Sequence, residues 1–179
     1  MEILNIVTDI TKILDAIVFA TKAHHGQMRK YTGDPYIVHP IEVASIVSIA
    51  PHTDEMIMAA ILHDVVEDCD VSLERIRYRF GSVVEDYVFW LTDPPTVPGG
   101  PNRAQRKQKT RERFQIAPNE VHTIKCADLL CNGPSIFEHD PDFAKVYARE
   151  MAALLEVLDR GDEFLREMCY NMLNQYFGR

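Results

Sequence analysis

His63-Asp64 and Glu67-Asp68 stand four residues apart in a stretch, 53–68, where nearly everything else is apolar: Met56, Ile57, Met58, Ala59, Ala60, Ile61, Leu62, Val65 and Val66. As a helix this segment is apolar on almost every side, the pattern of a central, buried element. A spacing of four puts His63 over Glu67 and Asp64 over Asp68, so an imidazole and three carboxylates share one side and its flank. Carboxylates crowded at the end of a buried helix repel one another and lose hydration. A bound cation compensates most simply.

A cation site needs donors from elsewhere in the chain. His39 lies in Pro35-Tyr36-Ile37-Val38-His39-Pro40, a stiff turn that enters a helix. Asp128 interrupts the apolar helical run Ile124-Lys125-Cys126-Ala127-Asp128-Leu129-Leu130, where it also reads as a carboxylate paired with Lys125 or a neighbouring cap. His39, His63, Asp64 and Asp128 together would suit a divalent first-row metal such as manganese or iron, with positions left open for water. A second pair, His139-Asp140, precedes Pro141 and reads as a helix cap.

The elements that must position these groups are helical throughout. The first eighteen residues carry Ile3, Ile6, Val7, Ile10, Ile13, Leu14, Ile17 and Val18 at spacings of three and four, which predicts an amphipathic helix with that stripe buried. Further helices are expected from Pro40 to about Ala50, and from Thr53 to about Asp68 as one piece. Others run from Ser72 to Phe80-Gly81, from a capping box at Ser82–Glu85 to about Thr92, and from Arg103, capped by Asn102 and Gln105, to about Gln115. The last three are expected from Pro118 to about Cys131, stopped by Gly133-Pro134; from Asp140-Pro141 to about Arg160, closed by Gly161; and from Asp162 to about Tyr176. The proline- and glycine-rich stretch 94–101 is a break. The expectation is an all-α bundle of eight or nine helices in a single domain over 1–179. Aromatic residues, Trp90 included, read as core.

Composition limits what such a bundle does. The 179 residues hold 19 Lys+Arg against 27 Asp+Glu, a net charge of -8, which disfavours a nucleic-acid polymer as partner. The charge is uneven: Arg103, Arg106, Lys107, Lys109, Arg111 and Arg113 stand close together, either a cationic rim that draws in a polyphosphate or a solvated helix face. Four cysteines without a CxxC pair speak against a disulfide scaffold or a thiolate zinc site. Asp9, Lys12 and Asp15 interrupt the apolar N-terminus, so no signal peptide, membrane span or membrane association is expected, and the reading is a soluble cytoplasmic protein of undetermined oligomeric state.

With Ala23–Lys30, Gly33–Pro40, Ala59–Asp68, Phe80-Gly81, Ile124–Asp128 and Asn132 taken in order, the chain resembles the HD-domain metal-dependent phosphohydrolases. Within them it is most similar to the alarmone (ppGpp) hydrolase domains of RelA/SpoT proteins, in the small stand-alone form of the metazoan SpoT homolog. The motif core covers about 15–135, with helices at 140–177 beyond it. The resemblance implies an HD-domain bundle with His39, His63, Asp64 and Asp128 as ligands of one divalent metal, usually manganese. It implies Glu67 and Asp68 as the pair acting on the attacking water and the reacting phosphate, and Arg29, Asn132 and, more loosely, Tyr147 as substrate contacts. Lys30 beside Arg29 joins the candidate phosphate contacts, as do Arg103, Arg106, Lys107 and Lys109.

The implied reaction removes the 3′-pyrophosphate of (p)ppGpp to leave GDP or GTP. A divalent metal generates hydroxide near neutral pH and offsets phosphoryl charge; Glu67 would orient the water or take its proton, and Asp68 would support a ligand or leaving group. The chain departs from the family at Leu129, where Arg or Lys is usual, and at Gly133-Pro134, where an apolar residue and Arg usually follow Asn132. Both departures concern the substrate. The alternatives are a ppApp-type alarmone, the 2′-phosphate of NADPH or another nucleoside phosphate, and, outside enzymes, a non-catalytic antitoxin-like nucleotide-binding module.

Overall fold

The computed structural model describes residues 2–94 and 97–178, with side chains from Ile10 onward. It divides into two compact units, Met1–Thr92 and Asp93–Arg179. Among the described residues the regular structure is α-helical apart from one isolated bridge, Met28 with Pro35. No helix among them is long and apolar enough to cross a membrane.

The first unit holds α1 (Glu2–Ala23), α2 (Val38–Val47), α3 (Asp54–Leu62), α4 (Val65–Asp68), α5 (Leu73–Phe80) and α6 (Ser82–Leu91). Helix α3 is central, as its composition requires: Met56 through Leu62 are all buried, and α1, α2 and α6 pack around it. Thr53 caps it, accepting from the Met56 N–H, and Asp54 and Glu55 occupy its first turn. The predicted single helix over 53–68 is two pieces. His63 and Asp64 form a turn between α3 and α4, so the His-Asp pair sits at a break rather than along a continuous face.

Two other expectations change in this unit. Helix α1 turns Ala16, Phe19 and Ala20 into the core, while Ile10, Leu14 and Val18 are 54%, 57% and 47% exposed. Ile13 and Ile17 of the predicted stripe are half-buried at the edge of this face. Ile3, Ile6 and Val7 of the predicted stripe lie outside the described side chains. At α6, Gly81 is the cap residue at φ 97° and Ser82 is already helical, so no capping box forms. A left-handed residue at this tight α5–α6 junction suits glycine.

The second unit holds α7 (Arg103–Phe114), α8 (Asn119–His139), α9 (Pro141–Leu155) and α10 (Glu163–Phe177). The Asn102–Gln105 capping box is present, and Asp140 caps α9 by accepting from the Phe143 N–H. Pro95 and Thr96 of the predicted break lie outside the described residues. Helix α8 does not stop at Gly133-Pro134 but continues six residues beyond Gly133. Pro134 costs one backbone hydrogen bond, and packing carries the helix across it: Met172 of α10 lies where a Cβ on Gly133 would be, 2.6 Å from its Sδ. Helix α9 ends at Leu155, short of the predicted Arg160, and a turn leads to Gly161.

Candidate active site

In the first unit the loop between α1 and α2 folds back on itself. Arg29 N–H donates to the Asp34 carbonyl at 2.8 Å and Tyr36 N–H to the Gln27 carbonyl at 2.9 Å. That turn delivers Tyr36 and His39 to the break between α3 and α4. His39 and His63 are buried, their ring centroids 5.2 Å apart. His63 Nε2 lies 3.1 Å and His39 Nε2 3.6 Å from the same oxygen, Asp64 Oδ2. The Tyr36 hydroxyl donates to that oxygen at 2.6 Å.

His63 Nδ1 lies 2.8 Å from the Ala60 carbonyl. An N–H at Nδ1 donates there and leaves the Nε2 lone pair facing Asp64, the arrangement by which an outer hydrogen bond fixes the tautomer of a ligating histidine. Imidazole nitrogens and a carboxylate converging in a buried setting fit a divalent cation.

Glu67 and Asp68 lie on α4, both exposed, so the predicted crowding of three buried carboxylates is relieved by solvent. Gln27 Nε2 donates to Asp68 Oδ2 at 3.0 Å, and Gln27 Oε1 lies 2.7 Å from Nδ1 of the buried His24. Burial raises the Cys69 thiol above its ordinary range, and the charges of Asp68 and Asp64 add to this. Arg29 is tied to Glu42 at 2.6 Å, and Lys30 lies over its neighbour Tyr31, 4.6 Å from the ring centroid. Neither partner was legible in the sequence.

In the second unit, Asp128 is buried on α8. Lys125 Nζ donates to its Oδ2 at 2.6 Å and Asn132 Nδ2 to its Oδ1 at 2.7 Å. The Lys125 pairing that the sequence offers as one alternative is therefore present, and Asn132 is added to it. Tyr147 donates to the Leu129 carbonyl at 3.3 Å. Burial, then the neighbouring Asp128 charge, push its hydroxyl well above the ordinary range, so it stays a neutral donor.

These groups line a pocket of about 210 Å³ that also takes in Arg103, Lys107 and Arg111, one face of α7. Arg106, whose guanidinium donates to the Pro101 carbonyl at 2.9 Å, and the exposed Lys109 are not part of its lining. Half of the predicted basic rim thus faces elsewhere. Sequence reasoning missed Asp93: it holds Lys107 at 3.1 Å and accepts from Thr110 at 3.0 Å. Burial raises the Asp93 carboxyl, but the charges of Lys107 and Lys125 and the hydrogen bonds from Lys107 and Thr110 together leave it below its usual range.

Residues 16–158 match the HD-domain family model. The human protein named guanosine-3′,5′-bis(diphosphate) 3′-pyrophosphohydrolase MESH1 is 37% identical over 128 residues, 70% of this chain and 69% of its own length. A Vibrio cholerae protein named guanosine-3′,5′-bis(diphosphate) 3′-pyrophosphohydrolase is 35% identical over 147 residues, 79% of this chain but only 20% of its own length. The chain thus spans about a fifth of that bacterial relative. A solved structure described as a metazoan ortholog of SpoT that hydrolyzes ppGpp superposes with a TM-score of 0.81 at 26% identity, covering 92% of this chain and 94% of that one. A match across that much of the sequence, on an all-α fold whose paired histidines and aspartate face one point, makes this chain a member of the HD-domain family.

Proposed function

We propose that the chain is a manganese-dependent hydrolase of a nucleotide alarmone, releasing pyrophosphate from the 3′ position of (p)ppGpp. The observation that carries this reading is the convergence of His39 Nε2 and His63 Nε2 on Asp64 Oδ2, with His63 Nδ1 against a backbone carbonyl. The names of the human and Vibrio cholerae relatives supply the substrate. In this reading His39, His63 and Asp64 hold the cation and Asp128 is its fourth protein ligand. Bound there, a divalent cation supplies a nucleophilic water near neutral pH and offsets charge on the phosphoryl oxygens.

The chain's own groups do the rest. Glu67 is solvent-accessible on α4 and serves to orient the attacking water or take its proton. Asp68, steadied by Gln27, supports the leaving side. Asn132 and Tyr147 contact the nucleoside. Arg29 and Lys30, with the pocket-facing cations of α7, receive phosphate. A second reading keeps the chemistry and exchanges the substrate for a ppApp-type alarmone or the 2′-phosphate of NADPH. It is favoured by Leu129 and Pro134, which stand where the family usually places cations, with Leu129 lining the pocket.

Phosphate and pyrophosphate release across ppGpp, ppApp and NADPH, with manganese, separates these readings. Pyrophosphate from ppGpp, lost in a His63→Ala, Asp64→Ala double variant, is the expected result. Turnover confined to ppApp or NADPH selects the second reading. No metal-dependent turnover on any of them or on other nucleoside phosphates leaves a non-catalytic nucleotide-binding module.

A further inference from the structure

Three cation–carboxylate contacts in the second unit's pocket pair groups that both line it. Lys125 meets Asp128 at 2.6 Å, Lys107 meets Asp93 at 3.1 Å, and Arg103 meets Glu150 of α9. The last pair is built differently from the other two. Arg103 Nε and one terminal nitrogen each donate to a separate Glu150 oxygen, both at 2.7 Å, the two-pronged geometry in which a guanidinium takes a carboxylate or a phosphate alike. The Arg103 guanidinium lies over the Phe143 ring, 5.1 Å from Cζ to ring centroid, a cation–π contact. The pair is reachable, with the Arg103 side chain 46% exposed and that of Glu150 21%.

We infer that Arg103 is the phosphate receptor of this pocket and that Glu150 is its resting occupant, displaced when a phosphate of the nucleotide binds. This rests on the nucleotide reading above and names the residue that meets the anion. A guanidinium over an aromatic ring, with its prongs on two oxygens, is already oriented for an incoming phosphate. The exchange is carboxylate for phosphate with no bond made or broken. Glu150 therefore acts as a built-in competitor that lowers affinity for anions until one with the right spacing of oxygens replaces it. A lysine at 103 would keep the charge but lose the fork, and with it the exchange.

The test is binding of inorganic pyrophosphate to the full chain, by calorimetry in EDTA at fixed ionic strength. Glu150→Gln is expected to tighten binding about threefold to tenfold, and Arg103→Lys to weaken it about threefold or more. In the double variant the gain from Glu150→Gln is expected to vanish. Unchanged or weaker binding by Glu150→Gln, or an equal gain in the Arg103→Lys background, would overturn the exchange, the latter because it would mark general charge removal. Thermal melting of each variant identifies any loss of fold, and Glu150→Ala provides a second route to the same comparison. Because pyrophosphate binding is read without turnover, failure of ppGpp hydrolysis would remove the proposed activity and leave this result standing on its own.

Discussion

Tyr36 puts its hydroxyl 2.6 Å from the Asp64 oxygen that both histidines face, although 28 positions separate the two residues. Outer hydrogen bonds of this kind orient a ligand and tune its basicity, and losing one typically lowers metal affinity about 10- to 100-fold. Tyr36→Phe keeps the ring packing and removes only the donor. Manganese titration by calorimetry should show affinity falling by about tenfold, with the helical fold unchanged by circular dichroism. Unchanged affinity would mean that the tyrosine does not position Asp64. His63 and Asp64 were legible in the sequence because polar residues in apolar surroundings require a reason, and His39 through the family resemblance. Tyr36 was not, since its partner is set by a turn in the backbone, and Glu150 carried no local signal at all.

Helix ends announced themselves wherever a side chain caps locally. Thr53, Ser72, Asn102 and Asp140 all accept from backbone N–H groups three residues on, and Gln105 accepts in return from the Asn102 N–H. The features that escaped depend on contacts from other helices: the break at His63-Asp64, the passage of α8 through Pro134, and the choice of buried face on α1. His122 shows how such contacts bind one unit together. It is fully buried, with Nε2 2.7 Å from the Phe114 carbonyl and Nδ1 accepting from the Arg160 N–H at 3.3 Å. Gly161 is needed beside it, because a Cβ there would come within 3.1 Å of the His122 backbone.

Burial, and then the nearby Arg160 and Arg166 charges, depress the His122 pKa despite its bond to the Phe114 carbonyl. Above the ordinary histidine range the ring is neutral folded or unfolded, and this group adds no pH dependence. Below it the unfolded chain takes a proton that the folded one resists, so stability falls with pH until the depressed folded pKa is reached. Urea unfolding between pH 7.5 and about 5.5, spanning the ordinary histidine pKa, should show wild type losing more stability than His122→Gln. Parallel slopes would place the pH dependence elsewhere.

At the scale of the molecule, the net charge of -8 hides a helix, α7, rich in arginine and lysine. The total argues against nucleic-acid polymers, whose binding depends on many phosphate contacts. It does not argue against a small anion, because Arg103, Lys107 and Arg111 face one pocket, two of them in the company of carboxylates. The helical fold was readable from apolar spacing, caps and breakers, and the proposed metal ligands from motif order. Which cations face the pocket was not, because the run was read by its total charge and the α7 face that lines the pocket depends on tertiary packing.

The most direct measurement follows ppGpp hydrolysis in ¹⁸O-labelled water with manganese, with the label located by mass spectrometry. Attack at the phosphorus attached to the ribose 3′-oxygen predicts label in the released pyrophosphate, unlabelled GDP, and no turnover in EDTA. Undiminished turnover in EDTA, label in the nucleoside product, or no product at all would contradict metal-dependent hydrolysis at the 3′-phosphorus.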